Sequence, residues 1–231
     1  MKDFGVSTIT TGIENFSDET IKLLNKGHKL YHSICFLKWC KLYQIKPFWL
    51  YLIDVPGESS ASYIEGLKIR SKRDRLHPPK DTEIIQITRF TSYYNEREIW
   101  NLKNLQPDTI WSFIPWADQI SFMFTYYKDT SKELLESRDC LVKEFYSEWI
   151  HSKVNKSLKF SGNNNIYDNR IEEHYISITD QERELLILCD TPQNEIIIRG
   201  DFKEEDINKL INLDLLILSG NKFVSLVESL P

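Results

Sequence analysis

The chain has 231 residues, 41% apolar and 27% charged, with a formal net charge of −5; that is enough to bury a core without disulfides or metals. Its longest uncharged apolar runs, near residues 30–37 and 47–53, fall short of the ~20 residues that cross a bilayer. The N-terminus lacks the basic start and apolar stretch of a secretory signal, so the expected compartment is the cytoplasm, with four reduced cysteines and no membrane partner.

The first helix is expected over residues 17–43, with Ser17 as N-cap, Asp18 and Glu19 in its first turn and Phe16 stapled onto Ile21. From Leu30 onward, apolar residues cover almost its whole circumference, the pattern of a helix buried on several sides. Pro47 opens a short buried strand over 48–53, closed by the turn Asp54-Val55-Pro56-Gly57. A second strand is expected over 83–90, then a helix near 92–105 and a strand over 119–127. Thr130 and Glu133 form a capping box ahead of a helix running to about residue 153. All six tryptophans precede residue 150, and the Asn/Gly-rich stretch that follows reads as a linker. The expected organisation is a mixed α/β domain over 1–160, a linker over 161–170 and a small domain over 171–231, an α+β protein overall. The eight glycines are never closer than seven positions, which excludes the Gly-rich loops that cradle dinucleotides and nucleotide phosphates.

In the last third, Thr179 and Glu182 form a capping box ahead of Leu185-Leu186-Ile187-Leu188, and residues 195–199 read as a short strand. Asp201 and Glu204 cap a helix carrying Ile207, Leu210, Ile211 and Leu213. A hairpin follows, with strands over 215–218 and 223–227 about a Ser219-Gly220-Asn221-Lys222 turn. Helix, strand, helix and hairpin within sixty residues resemble the winged-helix family, with a helix usual between the first and the recognition helix shortened or missing across 190–200. That resemblance implies a DNA-gripping or protein-packing domain.

Charge favours the second. Residues 171–231 hold 5 Lys/Arg against 13 Asp/Glu, whereas residues 1–170 hold 24 against 21. A recognition helix opening Lys203-Glu204-Glu205-Asp206 repels phosphates. The expected partner is therefore a protein, met through Phe202, Ile207, Leu210, Leu216 and Phe223. One segment does suit phosphates: Lys68, Arg70, Lys72, Arg73, Arg75 and Lys80 lie within thirteen residues, with Asp74 the one acid among them. It reads as a solvated loop, a weak and non-specific nucleic-acid contact, or a dock for an acidic partner.

No catalytic, cofactor or metal site is assigned. His28, His32 and Cys35 share a helix face at metal-ligand spacing, but no second close pair completes a site, and Cys35, Cys140 and Cys189 sit in apolar stretches that core packing explains. Asp54, Glu65 and Lys68 come nearest to a magnesium-dependent nuclease pattern, with E-x-x-K in place of E-x-K. His32 with Tyr93-Tyr94 and Glu96 or Glu98 resembles the His, Tyr and Glu of ADP-ribosyltransferases, whose histidine lies on a strand rather than a helix. Eleven aromatics over residues 90–127 supply either core or a protein interface. The whole layout resembles the accessory, middle-component subunits of SMC-like ATPase antiphage systems. This resemblance implies a non-enzymatic adaptor in a DNA-associated complex; the alternatives are a winged-helix DNA-binding regulator, or a nuclease or ADP-ribosyltransferase-like effector.

Overall fold

The computed structural model describes residues 5–68, 76–102, 105–107, 113–116, 123–125, 147, 149 and 156–228. Ser17 caps α1 (Asp18–Leu23) as expected, its hydroxyl accepting from the Thr20 amide. The single long helix is in fact two, because Asn25 and Gly27 adopt left-handed φ angles of 52° and 70° that break the helical ladder. α2 (Leu30–Leu42) begins beyond them, where Asp18 Oδ1 accepts from the Leu30 amide at 2.8 Å. Leu30, Ile34, Cys35, Leu37 and Cys40 are all buried, so α2 is enclosed on several sides, as its apolar circumference requires.

Parallel strands flank this spine. β1 (Thr8–Thr10) pairs with β2 (Lys46–Phe48), and β3 (Leu50–Ile53) pairs with β4 (Asp81–Ile84) across α3 (Ser60–Lys68), a βαβ connection. The expected 48–53 strand divides at Trp49, whose buried indole points into the core. The 83–90 run likewise divides, into β4 and β5 (Ile87–Thr88). α4 (Ser92–Asn95) is a single turn in place of the helix expected to residue 105. With β6 (Gln106–Pro107) and β7 (Met123–Thr125), β5 forms an antiparallel sheet in the order β5-β7-β6. The helix expected over 130–153 lies outside the described residues except for Ser147 and Trp149, both helical. Phe16, Trp49 and Trp149 meet with ring centroids 5.4–5.7 Å apart. The indoles of Trp149 and Trp49 donate to the carbonyls of Leu76 and His77, at 3.1 and 3.3 Å.

Gly66 on α3 faces Tyr51, and a Cβ there would stand 2.9 Å from the tyrosine hydroxyl. Tyr51 is itself buried, so Gly66→Ala is expected to destabilise by about 1–3 kcal/mol through overpacking, outweighing the ~1 kcal/mol of helix propensity that alanine adds. A urea midpoint at or above wild type would contradict this packing.

The C-terminal part opens with an antiparallel meander: β8 (Leu158–Phe160), β9 (Asn165–Asp168) and β10 (His174–Ser177). The stretch expected to be a linker thus contains the central strand of a sheet. Its Gly/Asn tract is a hairpin turn, with Gly162 at φ 68° and the Ser161 amide donating to Asn165 O at 2.8 Å. α5 (Asp180–Leu188) carries the expected Thr179–Glu182 capping box, with both hydrogen bonds formed. β11 (Gln193–Asn194) leads into α6 (Glu195–Asp201), so residues 195–199 are helix, not strand. Asn194 caps it by accepting from the Ile196 amide at 2.9 Å, and this short helix occupies the place where one looked missing. α7 (Glu204–Asn212) is preceded by Lys203 rather than capped by Asp201, which closes α6. β12 (Leu216–Ser219) and β13 (Lys222–Ser225) form the expected hairpin about Gly220, and the sheet order is β11-β13-β12.

One apolar cluster runs from Phe16, Ile34 and Trp49 through Leu158 and Ile166 to Leu185, Leu216 and Phe223. α2 packs against the β12–β13 hairpin. Lys38, 0% exposed, crosses this junction, its ammonium donating to Asp190 Oδ1 at 2.8 Å and to Ser225 O at 2.9 Å. Ser219 donates to Asp18 at 2.7 Å, and Lys41 pairs with Glu228 at 2.6 Å. Among the described residues no helix is long and apolar enough to cross a membrane.

Candidate partner-binding surface

The residues expected to meet a partner are mostly core. Ile207, Leu210, Leu216 and Phe223 are fully buried, and Phe202 packs partly buried against them. Ile207 and Leu210 are one turn apart on the inner face of α7, so they secure the helix to the hairpin and offer a partner nothing. What α7 turns outward is Glu204, Glu205, Asn208, Lys209 and Asn212.

The cations of this part of the chain are largely committed to its own structure. Lys209 lies 2.7 Å from Oε1 of Glu182, a buried carboxylate that also closes the α5 capping box. Arg199 binds Glu195 at 2.8 Å, pairs with Glu204, and lays its guanidinium over the Phe223 ring. The Arg199 hydrogen bond holds the Glu204 carboxyl below its usual range. Arg183 donates to the carbonyls of Gly162 and Asn163 at 3.1 and 2.9 Å and covers Phe160. Of the five Lys/Arg after residue 170, this leaves Lys203 and Lys222.

Sequence reasoning missed the apolar side chains that are exposed. Ile196, 81% exposed, and Ile197 lie in the first turn of α6, with Ile187 and Leu188 at the end of α5 and Leu218 on β12 also exposed. The signal was present in Ile196-Ile197-Ile198. A strand can bury such a run on two faces, whereas a two-turn helix buries one member, here Ile198. In the N-terminal part, Phe90 and Phe113 are 76% and 77% exposed and Trp116 is exposed too, whereas Tyr93 and Phe124 are core. The aromatic surplus thus divides between interior and surface; Trp111, Phe122, Tyr126 and Tyr127 lie outside the described residues.

Of the basic segment, Arg70, Lys72, Arg73 and Arg75 lie outside the described residues. Lys68 ends α3, and Lys80 is exposed with its ammonium 4.9 Å from the Phe48 ring centroid. Both ends of the segment are anchored. α3 is tied to α1 through Ser62, which hydrogen-bonds Ser17 at 2.6 Å and Thr20 at 2.8 Å, and the Leu76 and His77 carbonyls are held by the two indoles.

The other candidate residues have the following surroundings. Cys35 is buried and its thiol is pushed up to about 11, chiefly by that burial, which leaves it protonated and a poor metal ligand. Cys40 and Cys189 are buried free thiols as well; Cys140 lies outside the described residues. Glu65 is within 3.4 Å of the Ser17 hydroxyl, and Asp54 sits in the turn after β3 at φ 58°. Tyr93 donates to Leu23 O at 2.7 Å and lies under Trp100. Among the described residues no three His, Cys, Asp or Glu side chains form a group that could hold a metal ion. Compared with protein-family models, curated proteins and solved structures, the chain matches none of them.

Proposed function

We propose that this protein is a non-enzymatic adaptor subunit of a cytoplasmic, DNA-associated multiprotein complex, and that its C-terminal part is a winged-helix domain that packs on protein. The order α5, β11, α6, α7, β12, β13, with sheet order β11-β13-β12, supports the winged-helix reading. The observation that carries the partner assignment is the commitment of Arg183, Arg199 and Lys209 to internal acceptors beside a recognition helix that opens with three acids. Phosphate binding needs cations to neutralise the backbone; this face offers carboxylates around exposed isoleucines, the composition of a protein-docking surface. The basic segment over residues 68–80 provides the weak, non-specific nucleic-acid contact. An SMC-like ATPase is the partner class we assign, in keeping with the layout's resemblance to the accessory subunits of antiphage systems.

The test uses point substitutions. Deleting residues 171–231 would strip the apolar cover from α2 and remove the Asp190 carboxylate that pairs with Lys38. Ile196→Asp with Ile197→Asp alters exposed side chains and is expected to leave the unfolding free energy, read from urea denaturation, within ~0.5 kcal/mol of wild type. Recovery of the ATPase with the tagged chain from its native host is expected to drop at least tenfold, about 1.4 kcal/mol. Undiminished recovery would remove this face from the interface.

A further inference from the structure

We propose that the free edge of the β8-β9-β10 sheet pairs with the same edge of a second copy of this chain, antiparallel about a two-fold axis at Tyr175, so that the two sheets become one. β10 is the last strand of its sheet, and among the described residues β9 is the only strand paired with it. The Ile178 amide donates to Asn164 O at 2.9 Å, in line with the register that sets Tyr175 opposite Tyr167. Hydrogen-bonded pairs alternate along an antiparallel ladder, so the backbone groups of residues 174, 176 and 178 serve β9. Those of Tyr175 and Ser177 point away from it.

This edge lacks the devices that keep sheet edges apart. Its pairing with β9 runs without a bulge, and residues 174–177 include no lysine, proline or carboxylate. The edge is open to solvent: Ser177 is exposed, Tyr175 is 61% exposed, and Ile171, three positions before the strand, is 89% exposed. Tyr175 also ends a row of side chains on the outer face of the sheet. Its ring lies 5.5 Å from that of Tyr167, and the Lys159 ammonium lies 5.5 Å from the Tyr167 centroid. A strand laid on β10 extends that row by the residue it sets opposite Tyr175.

Charge and register favour a second copy as that strand. The acids of the edge, Glu172 and Glu173, stand at one end, and its other end is uncharged through Thr179. Antiparallel self-pairing at Tyr175 therefore sets Glu173 of each copy against Ser177 of the other and Glu172 against Ile178, so no like charges meet. It also sets the two Tyr175 side chains opposite each other and joins the two tyrosine rows. Moving the axis to Ile176 would call on Thr179, whose amide donates to Glu182 and whose carbonyl accepts from Arg183 within α5. Moving it to His174 would call on Ile171, which lies outside the strand. The contact uses one patch on both copies, so it closes at a dimer; it does not rest on the partner assigned to α6 and α7.

Sedimentation velocity on the full chain tests the pairing. A small interface of this kind is expected to give a monomer–dimer equilibrium with a Kd on the order of 10–100 μM. Tyr175→Lys and Tyr175→Glu each place like charges face to face at the axis and should weaken self-association at least tenfold, with the urea midpoint unchanged because the side chain is exposed. An equimolar mixture of these two variants should dimerise again, since only a two-fold contact sets position 175 against itself. Ser177→Pro removes an amide that points away from β9 and should also leave a folded monomer. A wild type that stays monomeric up to about 500 μM, well above that Kd, would overturn the proposal. So would a dimer that survives Tyr175→Lys, or a mixture that stays monomeric. A monomeric wild type whose recovery of its protein partner falls in Tyr175→Lys would give the edge to another protein and overturn it as well.

Discussion

Replacing Asp190 by alanine is expected to destabilise the fold by about 3 kcal/mol, more than replacing its partner Lys38 by methionine. The asymmetry follows from burial. Lys38 is entirely buried, whereas 27% of the Asp190 side chain reaches solvent. Removing the carboxylate leaves an ammonium enclosed in the core with, among the described residues, only the Asp190 and Ser225 carbonyls, at 3.3 and 2.9 Å, as acceptors. Lys38→Met removes that charge, keeps the volume of the aliphatic stem and leaves the Asp190 carboxylate to water, so the remaining loss is the hydrogen bonds to the Ser225 and Asp190 carbonyls, about 1–2 kcal/mol. Urea unfolding of both variants measures the order directly. A larger loss for Lys38→Met would show that the ammonium, rather than its burial, sets the strength of the junction between α2 and the hairpin.

Arg170→Ala is expected to cost a further-reaching 3–5 kcal/mol, with Arg170→Lys recovering little of it. The guanidinium binds both carboxylate oxygens of buried Asp168, and it donates to Asp214 O at 2.7 Å and Leu213 O at 3.0 Å. It thereby pins the β8-β9-β10 meander to the end of α7. A lysine cannot reproduce four donations fixed by a planar fork. Burial works against the charge of Asp168, but the Arg170 hydrogen bonds outweigh it and hold the carboxyl below its ordinary value of 3.8. A depressed folded-state pKa contributes stability that is complete above the unfolded value and disappears as pH falls through the folded one. Wild type should therefore lose this contribution below about pH 4. A variant without Arg170 should show a shallower decline over the same range. Parallel pH profiles would contradict the role given to the pair.

These two ion pairs were the least legible features of the sequence. Lys38 looked like one more residue on a helix whose burial was otherwise evident, and its acceptor lies 152 positions away. Asp168 and Arg170 fell in a tract whose glycine and asparagines suggested a linker; those residues make the hairpin turn at Gly162, and the strand beyond it is short. Three features fixed by a few adjacent residues were read correctly, the Ser17 cap, the Thr179–Glu182 capping box and the Gly220 hairpin, whereas the Asp201 cap and the 195–199 strand, equally local readings, were not. Asn25-Lys26-Gly27 carried the turn chemistry that divides the first helix, overridden by a run of apolar residues on both sides. At the candidate surface, acidity was evident from composition, but burial inverted the choice of side chains. The apolar positions at helical spacing on α7 became core, and Ile196 and Ile197 of α6 became surface.

Hydrogen exchange read by mass spectrometry, on the chain alone, with its protein partner and with duplex DNA, tests the central claim most directly. Protein docking on the acidic face predicts slowed exchange in peptides covering α6 and α7 when the partner is added. Duplex DNA should leave those peptides unchanged and slow only the segment over residues 68–80, an effect lost as salt rises from 50 to 200 mM because phosphate contacts release counterions. Protection of α7 by duplex DNA, with the partner leaving it unprotected, would contradict the account and make the C-terminal part a DNA reader.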